Sequence, residues 1–460
     1  MTFIVTTDYE LQRIAPPALP QATLQYSKDY QDQFNNVLRL YFNRLNSILG
    51  QLMTNMDTLP VSIGGTNTDA FGRLRVSQPY TLFDSQNRYA ADNQFDVATT
   101  GTGTTTFLPN EAAVKMEVTG AGVGSVIRQS YRSFPYQPGK GLLLLATFVM
   151  DTSTSTNLTQ QVGYYNAQNG VFFKKNGSTL SFVMRTYTSG TASDARFVNQ
   201  ADWNGDKLDG TGASGLTLDL SHPQILWMDF EWLGVGSVRC GFIINGEYIV
   251  CHTFNTANVY GSSVYMTTAI LPVRYEIVSA TAAVAASMKT ICCSVVSEGG
   301  FEQTSIDHVA RRTSILGTIS NTFLPLVSIR LAAARTGAVV LPNRIQVLPT
   351  TSQNYEVALI KNPALTGPTT WVPVPTDANV EYDVASTGVA GGSIVQTDYT
   401  TASGSGGAPG LAAPTGYNFD LQLGVSIAGV SDIYTVAIRT VSGATTGDAV
   451  GSLSFYDLTQ

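Results

Sequence analysis

Residues 238–252 read Val-Arg-Cys-Gly-Phe-Ile-Ile-Asn-Gly-Glu-Tyr-Ile-Val-Cys-His, and this stretch decides the fold class. Two runs rich in β-branched and aromatic residues flank Asn245-Gly246, a dipeptide that tight hairpin turns prefer because both residues tolerate a positive φ. The stretch predicts two antiparallel strands. Counting outward from the turn pairs positions that sum to 491, so Cys240 and Cys251 are predicted to face each other. We expect buried, reduced thiols, because side chains diverge in a hydrogen-bonded pair and the chain is expected to form in a cytosol.

Short strand patterns and tight turns continue on both sides of this hairpin. Residues 142–150 form a continuous apolar run, which is typical of a strand covered on both faces. Residues 172–185 contain a second hairpin pattern around Asn176-Gly177. Strands at this spacing predict a large antiparallel β-sandwich of jelly-roll or lectin-like topology over residues 61–309.

The last third of the chain repeats the pattern on a smaller scale. Polar residues 304–314 are the best candidate for a linker, and residues 402–416, rich in Gly, Ala, Ser and Pro, predict an exposed loop. A second, smaller sandwich is predicted over residues 310–460 from seven short strand patterns: 327–331, 338–341, 345–348, 355–361, 419–425, 434–440 and 452–456.

Near the N-terminus the apolar spacing changes to alternating steps of four and three. This apolar seam consists of Phe34, Leu38, Tyr41, Leu45, Ile48 and Leu52. It predicts an oligomerisation helix over residues 29–60, ended by Pro60 and preceded by an extended, Pro-containing anchoring arm over residues 1–28. Such an apolar seam must be buried, either against the same helix of sister chains or against the chain's own β-domain. If sister chains bury it, we expect a homotrimer. Three heptads leave both alternatives open.

The low content of charged residues and the negative net charge exclude some classes of function. Charged residues make up 13% of the 460 residues, against about 25% in ordinary domains, and the net charge is −7. A surface with this balance argues against a nucleic-acid partner. No apolar run reaches 18 residues and the first residues do not form a secretory signal, so neither membrane insertion nor standard export is expected. The fold class predicted is mainly β, with an extended arm and a single long helix before two antiparallel sandwiches.

One candidate for carbohydrate chemistry lies in residues 225–233. Period two places Trp227, Asp229 and Glu231 on one face of a strand, with the two carboxylates about 6 to 7 Å apart. Paired carboxylates can hydrolyse glycosides and a tryptophan can stack on a sugar, as in the Glu-x-Asp-x-x-Glu strand of lectin-fold glycosidases. Gly234 stands where that pattern has its third carboxylate. A structural role is therefore favoured, with sugar contact as the alternative.

No other motif predicts an enzyme. The three histidines lack a partner at metal-ligand spacing, and no nucleophile elbow or phosphate loop occurs, so catalytic residues, metal ligands and cofactors are predicted to be none. Residues 202–209 carry oxygen donors at 202, 204, 206 and 209, a spacing that calcium loops use. Lys207 replaces the usual glycine and no glutamate closes the set, so a loop of Asx turns is favoured and calcium is left open.

Several blocks resemble virion structural proteins of tailed phages that infect aquatic bacteria. They are Asp69-Ala-Phe-Gly-Arg-Leu-Arg-Val-Ser, Thr81-Leu-Phe-Asp-Ser-Gln-Asn-Arg-Tyr, Ile127-Arg-Gln-Ser, Tyr136-Gln-Pro-Gly-Lys, Val162-Gly-Tyr-Tyr-Asn, Trp203-Asn-Gly-Asp, residues 225–239, Tyr265-Met-Thr-Thr-Ala and Leu271-Pro-Val-Arg-Tyr-Glu. The resemblance covers roughly residues 65 to 300.

The resemblance implies a non-enzymatic structural component of a virion, made in the host cytoplasm. Within that class we expect an oligomeric fibre or appendage that attaches to tail, neck or capsid proteins through residues 1–28. A host-surface glycan is a further expected partner. Two alternatives stay open: a capsid decoration or head-fibre protein, and a carbohydrate-binding or carbohydrate-active protein that recognises the host.

Overall fold

The computed structural model describes residues 19, 27–58, 68–69, 78–281, 284–302, 305–401, 419–441 and 446–459. Residues 1–63 and residues 64–460 form two compact units. Strands account for 51% of the chain and helix for 7%, and the sheets are antiparallel. The prediction of a mainly β chain with one helix is therefore confirmed. Apart from Leu19, Ser27 and Lys28, the predicted arm lies outside the described residues.

The first unit contains helix α1 (Lys28–Thr58), whose 31 residues closely match the predicted range 29–60. Its first turn is held by Ser27, whose Oγ accepts a hydrogen bond from the backbone N–H of Tyr30 at 3.4 Å. Asp29 lies in the same turn, where a negative charge is favoured by the helix dipole. At 1.5 Å per residue the helix is about 46 Å long.

The second unit begins with fifteen strands between residues 80 and 298. In chain order they are β1 (Tyr80–Gln86), β2 (Phe95–Gly101), β3 (Gly103–Leu108), β4 (Ala113–Val118), β5 (Gly124–Ser130), β6 (Gly141–Val149), β7 (Leu158–Tyr165), β8 (Gly170–Asn176), β9 (Thr179–Thr186), β10 (Ser193–Asn199), β11 (Gln224–Phe230), β12 (Val238–Ile244), β13 (Glu247–Phe254), β14 (Val273–Ser279) and β15 (Ala286–Glu298).

These strands form two large sheets. One has the order β13-β12-β11-β6-β15-β4-β3, and β1 also pairs with the long strand β15. The other has the order β10-β9-β8-β7-β14-β5-β2. The two sheets pack face to face, since Phe173 of β8 contacts Phe148 of β6 and Phe242 of β12, with ring centroids 6.3 and 5.2 Å apart. Together they form the large sandwich, and their facing side chains share one hydrophobic core.

A polar link crosses the inside of this sandwich. Arg128 of β5 is 2% exposed, and its guanidinium donates to Asn87 Oδ1 at 2.9 Å and to Thr290 Oγ1 of β15 at 3.1 Å. The guanidinium also lies 4.2 Å from the centroid of the Phe95 ring. Because a buried cation without partners is costly, this set of contacts fixes how the two sheets stack.

The hairpin 238–252 has the predicted turn, but its strand register differs from the prediction further from the turn. Asn245 and Gly246 connect β12 to β13 with φ values of 54° and 80°. The 491 register holds from Ile244↔Glu247 to Gly241↔Val250, but Cys240 then pairs with His252. A β-bulge at Cys251 causes this shift, so the prediction that Cys240 and Cys251 face each other is wrong. In the second hairpin Asn176 pairs with Thr179, which moves the turn by one residue to Gly177-Ser178.

All four cysteines are free, and they differ in exposure. Cys292 is exposed, whereas Cys240, Cys251 and Cys293 are buried. Burial raises the pKa of all three buried thiols, that of Cys293 to about 12. Since the thiolate is the reactive form, burial suppresses both access and ionisation at these three positions.

We expect iodoacetamide at neutral pH to alkylate Cys292 in the folded protein and the other three only after unfolding. Peptide mass spectrometry under non-reducing conditions measures this directly, and it should find no bridge between Cys240 and Cys251. A stoichiometric disulfide, or equal labelling of all four sites, would contradict the packing described above.

Eleven further strands follow, in chain order: β16 (Asp307–Arg311), β17 (Leu324–Leu331), β18 (Val340–Pro349), β19 (Asn354–Lys361), β20 (Ala364–Thr366), β21 (Val372–Val374), β22 (Asp377–Asp383), β23 (Gly388–Ala390), β24 (Ser393–Thr401), β25 (Ile433–Thr440) and β26 (Ala449–Asp457). A three-stranded sheet, β16-β26-β18, and a six-stranded sheet, β21-β22-β17-β25-β19-β24, share a second hydrophobic core. Strands β20 and β23 pair separately.

The structure corrects the sequence prediction around this second sandwich. Residues 307–311, within the predicted linker, form strand β16, which pairs with β26 from Asp307↔Tyr456 to Arg311↔Ser452. The predicted domain ranges 61–309 and 310–460 stay a prediction, and β16 crosses their boundary. Among the described residues, no helix has the length and apolar character needed to span a membrane.

Candidate functional site

Two of the three residues that sequence analysis singled out, Trp227 and Asp229, are closed to solvent. Leu226, Met228 and Phe230 of β11 point into the core, so Trp227 and Asp229 lie on the opposite face, as period two predicts. Both are nevertheless 0% exposed. Trp227 Nε1 donates to the carbonyl of Ile249 at 3.3 Å, and its ring packs against Tyr248. In this arrangement neither side chain can contact a sugar that approaches from solvent.

Asp229 is held by a buried ion pair. Arg239, its register partner on β12, donates from Nε to Asp229 Oδ2 at 3.0 Å and from Nη2 to the same oxygen. Arg239 Nη2 also donates to the carbonyl of Thr68 at 2.5 Å, which ties a distant segment to this face. A carboxylate engaged in this way is suited to a structural role, because a nucleophile or base needs an oxygen directed at substrate.

Glu231 lies just beyond the end of β11 and is partly exposed. Burial, and then the nearby carboxylates of Asp229 and Asp69, raise the pKa of Glu231, although the Ser237 backbone and Arg239 act in the opposite direction. Glu231 thus differs in environment from Asp229. The structure brings Trp227, Asp229 and Glu231 to one region of the sheet without forming an open site.

In the loop at residues 202–209, the carboxylates of Asp206 and Asp209 accept hydrogen bonds from nearby backbone N–H groups. Asp206 Oδ1 accepts from the Leu208 N–H at 2.9 Å and Oδ2 from the Ser214 N–H at 2.6 Å, while Asp209 Oδ1 accepts from the Thr211 N–H. The contacts to Leu208 and Thr211 are the Asx turns that the sequence favours, and the contact to Ser214 closes the longer loop. In the part of the chain that the structure describes, no three His, Cys, Asp or Glu side chains are placed to hold a metal ion.

His252 links this loop to the hairpin and stays neutral. Its Nδ1 accepts from the Asn204 N–H at 3.3 Å, its ring packs on Phe254, and it is 8% exposed. Burial, assisted by the positive charge of Arg196, lowers the pKa of His252 to about 4. Protonation would also remove the acceptor that Asn204 uses.

This shift predicts a loss of stability in acid. Between pH 6.5 and about 4 the unfolded chain binds more protons at His252 than the folded chain does, so the free energy of unfolding falls as the pH is lowered. We expect His252 to contribute up to about 3 kcal/mol of that loss. Urea unfolding across this pH range should show a flatter profile for His252→Gln than for the wild type. Exposed His222, changed in the same way, serves as control, and identical profiles for all three proteins would contradict the assignment.

A Ser-His-Asp set occurs on the turn before β11, and its geometry is that of a turn. Asp219 Oδ1 accepts from Ser221 Oγ at 2.6 Å, and His222 Nδ1 lies 2.8 Å from Asp219 Oδ2 and 3.2 Å from Ser221 Oγ. A catalytic triad uses the two different ring nitrogens for its serine and its carboxylate. Here both contacts use Nδ1, and all three side chains are exposed.

The apolar seam of α1 is partly exposed in the single chain. Phe34, Leu38, Tyr41 and Leu45 are of intermediate exposure. Outside the seam, Leu40 and Phe42 are 58% and 59% exposed. The side chains of Ile48 and Leu52 lie outside the described residues. Whether the seam faces sister helices stays a prediction.

Sequence analysis missed a cleft where the two sandwiches meet, which we call the junction cleft. It has a volume of about 660 Å³. Its lining is polar and comes from separate parts of the chain: Asn93, Gln94, Tyr131, Arg132, Lys361, Asn362, Gly392, Ser393, Asp420 and Asp432. No local pattern could reveal it, because the chain brings these segments together only by folding.

Hydrogen bonds between the sandwiches support the cleft. Arg132 Nη1 donates to the carbonyl of Phe419 at 2.6 Å, and Gln422 Nε2 donates to that of Ser133 at 2.7 Å. The Val425 N–H donates to the Tyr131 carbonyl at 2.7 Å, and the Ile427 N–H to Asp96 Oδ2 at 2.7 Å. Asp96 and residues 131–133 are thus joined to residues 419–427 in one hydrogen-bonded junction.

The charges inside the junction cleft are paired. Lys361 Nζ lies 3.0 Å from Asp432 Oδ2, and Arg132 Nη1 lies 3.5 Å from Asp420 Oδ1. Asp432 is 6% exposed and also accepts from Asn362 Nδ2 at 2.6 Å and from the Gly424 N–H at 2.9 Å. Burial, and the carboxylates of Asp96 and Asp432, raise the pKa of Tyr131, so its hydroxyl remains protonated. The cleft therefore offers fixed donors and acceptors without net charge.

No protein-family model matches the chain, and no curated protein sequence matches it significantly. Solved structures match it weakly. An endo-1,3-beta-glucanase from Streptomyces sioyaensis is 11% identical with a TM-score of 0.33, over 48% of this chain and 97% of that one. The Emp47p carbohydrate recognition domain is 8% identical with a TM-score of 0.30, over 48% and 97%. A legume lectin-like domain from Entamoeba histolytica is 11% identical with a TM-score of 0.28, over 44% and 89%. Similarity at this level carries no inference about activity.

Proposed function

We propose that this chain is a non-enzymatic structural component of a tailed-phage virion, an oligomeric fibre or appendage held together by α1. The observation that carries the proposal is the heptad-spaced apolar seam, whose described side chains are all partly exposed in the single chain. A seam of period 3.5 is complementary to another helix of the same period. Among the described residues α1 is the one α-helix, and a second copy of the chain would supply a helix of the same period.

The sequence blocks that resemble virion proteins support a structural role. They contribute large or charged side chains that are buried in the large sandwich, among them Phe83, Arg128, Tyr164, Trp227 and Tyr265. The junction cleft, by contrast, takes all ten of its lining residues from outside these blocks. Shared residues at buried positions indicate a shared framework, which fits a family of structural proteins.

The burial and pairing of Asp229 support a non-enzymatic role rather than glycosidase activity. Asp229 is engaged by Arg239 inside the protein, and the third carboxylate position of the glycosidase pattern is Gly234. Residues 1–28 would then anchor the oligomer to a tail, neck or capsid protein. A capsid decoration or head fibre would use the same parts in a different place on the particle.

Immunogold labelling of the phage that encodes the chain tests the proposal. Antibodies raised against the purified protein should label intact particles at discrete sites, and particle proteomics should find the chain in stoichiometric amounts. Label on the tail or neck supports the appendage, whereas uniform label on the head supports the decoration alternative. Absence of the chain from purified particles would overturn the virion proposal.

A further inference from the structure

We propose that the junction cleft is a binding site for a neutral oligosaccharide. The inference goes beyond the proposed structural function and does not depend on it. It rests on three properties of the cleft: its size, the balance of its charges, and the polar groups that remain available at its rim.

The size suits a small ligand of several rings. A volume of about 660 Å³ falls within the range of about 300 to 1,000 Å³ that is typical of ligand pockets. The walls are pre-formed, because Asp432, Asn362 and Gly424 are joined by hydrogen bonds and residues 131–133 are bonded to residues 419–427. Pre-formed walls lower the ordering cost of binding.

The balance of charges selects the class of ligand. Two cations, Arg132 and Lys361, are matched by two carboxylates, Asp420 and Asp432. A phosphate or polyanionic ligand would meet these carboxylates, whereas an apolar ligand would strip water from a polar wall without replacing its hydrogen bonds. The hydroxyl groups of a neutral sugar both donate and accept, so they fit a wall of amides, hydroxyls and paired charges.

Polar groups suited to such contacts lie at the rim. Asn93 and Ser393 are exposed, and their side chains make no hydrogen bond within the described residues. Tyr131 adds an aromatic ring to the same wall, while its hydroxyl donates to Asp96 Oδ1 at 3.4 Å. Ser393 is placed by the turn before β24, where Gly392 has a φ of +78° and its position approaches Ile360 and Lys361 too closely for a Cβ.

Titration calorimetry and a glycan array test the site. The probes are neutral hexasaccharides with α1,4, β1,4 and β1,3 linkages and the neutral glycans of the array, with polygalacturonate and inorganic phosphate as anionic comparators. We expect at least one neutral glycan to bind the wild type. Asn93→Ala should weaken it about tenfold, as expected for the loss of one or two hydrogen bonds, and Ser393→Trp, which fills the cleft, should abolish it.

Two matched control variants show whether a loss of binding is specific to changes in the cleft. Asn110→Ala changes an exposed asparagine elsewhere on the large sandwich, and Thr401→Trp places the same bulk at the far end of β24. Both should bind as the wild type does. The proposal is overturned if no neutral glycan binds, if only the anionic probes bind, or if Ser393→Trp, shown to be folded by its unfolding curve, leaves binding unchanged.

Discussion

Replacing Leu38 and Leu45 together by Asp is expected to turn the proposed trimer into monomers. Both residues belong to the apolar seam, and burial of its six large side chains would contribute roughly 9 to 18 kcal/mol per chain, an upper bound before ordering costs. The double substitution removes two of these apolar side chains and places two carboxylates at the contact. Burial of the remaining apolar side chains cannot offset the cost of desolvating these carboxylates. Light scattering coupled to size exclusion should show a fall from three times the 49.2 kDa chain mass to the mass of one chain.

Asn43→Asp with Asn46→Asp is the matched control. It adds the same two charges at exposed positions outside the seam and should leave the mass unchanged. Two outcomes would contradict a role of the helix in assembly: a double Leu variant that keeps the mass of the wild-type oligomer, or a wild type that is itself monomeric. Either outcome would favour the alternative in which the helix packs on its own chain.

Arg239→Met should destabilise the large sandwich by about 3 to 5 kcal/mol, the usual cost of breaking a buried ion pair. The substitution takes from Asp229, which is 0% exposed, the donors at Nε and Nη2, and it also breaks the contact with the Thr68 carbonyl. Urea unfolding should show a lower midpoint with an unchanged slope.

Two further variants show whether the buried charge is the cause. Adding Asp229→Leu to Arg239→Met should recover part of the loss, because the second change removes the carboxylate that the first leaves poorly paired. Arg344→Met breaks the more exposed ion pair with Asp307, 3.6 Å long, and should cost at most about 1 kcal/mol. Equal losses for Arg239→Met and Arg344→Met would contradict the structural role of Asp229.

The sequence predicts features that are determined locally. The Asn245-Gly246 turn and the facing pattern of β11 follow from turn chemistry and period two. The bulge at Cys251 does not, because its cause lies elsewhere in the chain. The backbone N–H groups of Gly205 and Asp206 bond to the carbonyls of Cys251 and Val250 at 2.9 Å, so a distant loop shapes the outer edge of β13.

The second sandwich shows the same limit. Buried strands such as β19 and β25 follow from their apolar patterns. The pattern at 345–348 and the second half of the pattern at 338–341 belong to one strand, β18. Strands β20, β21 and β23 have three residues each, too few to show a periodic pattern, and the polar strands β22 and β24 carry no continuous apolar run. Phe419–Leu421 forms a 3-10 turn within the predicted strand 419–425. The junction cleft has no local pattern at all.

The hydrogen-bonded junction between residues 131–133 and 419–427 also bears on how the chain responds to a cut or a pull. Two hydrophobic cores would ordinarily allow the two sandwiches to separate once the peptide between β15 and β16 is broken. Here the last part of the chain is also fastened to the first sandwich by hydrogen bonds outside that connection, so the two fragments would stay associated. A pulling force applied to the two ends of the chain would be distributed over several hydrogen bonds at the junction as well as the peptide that connects the two sandwiches.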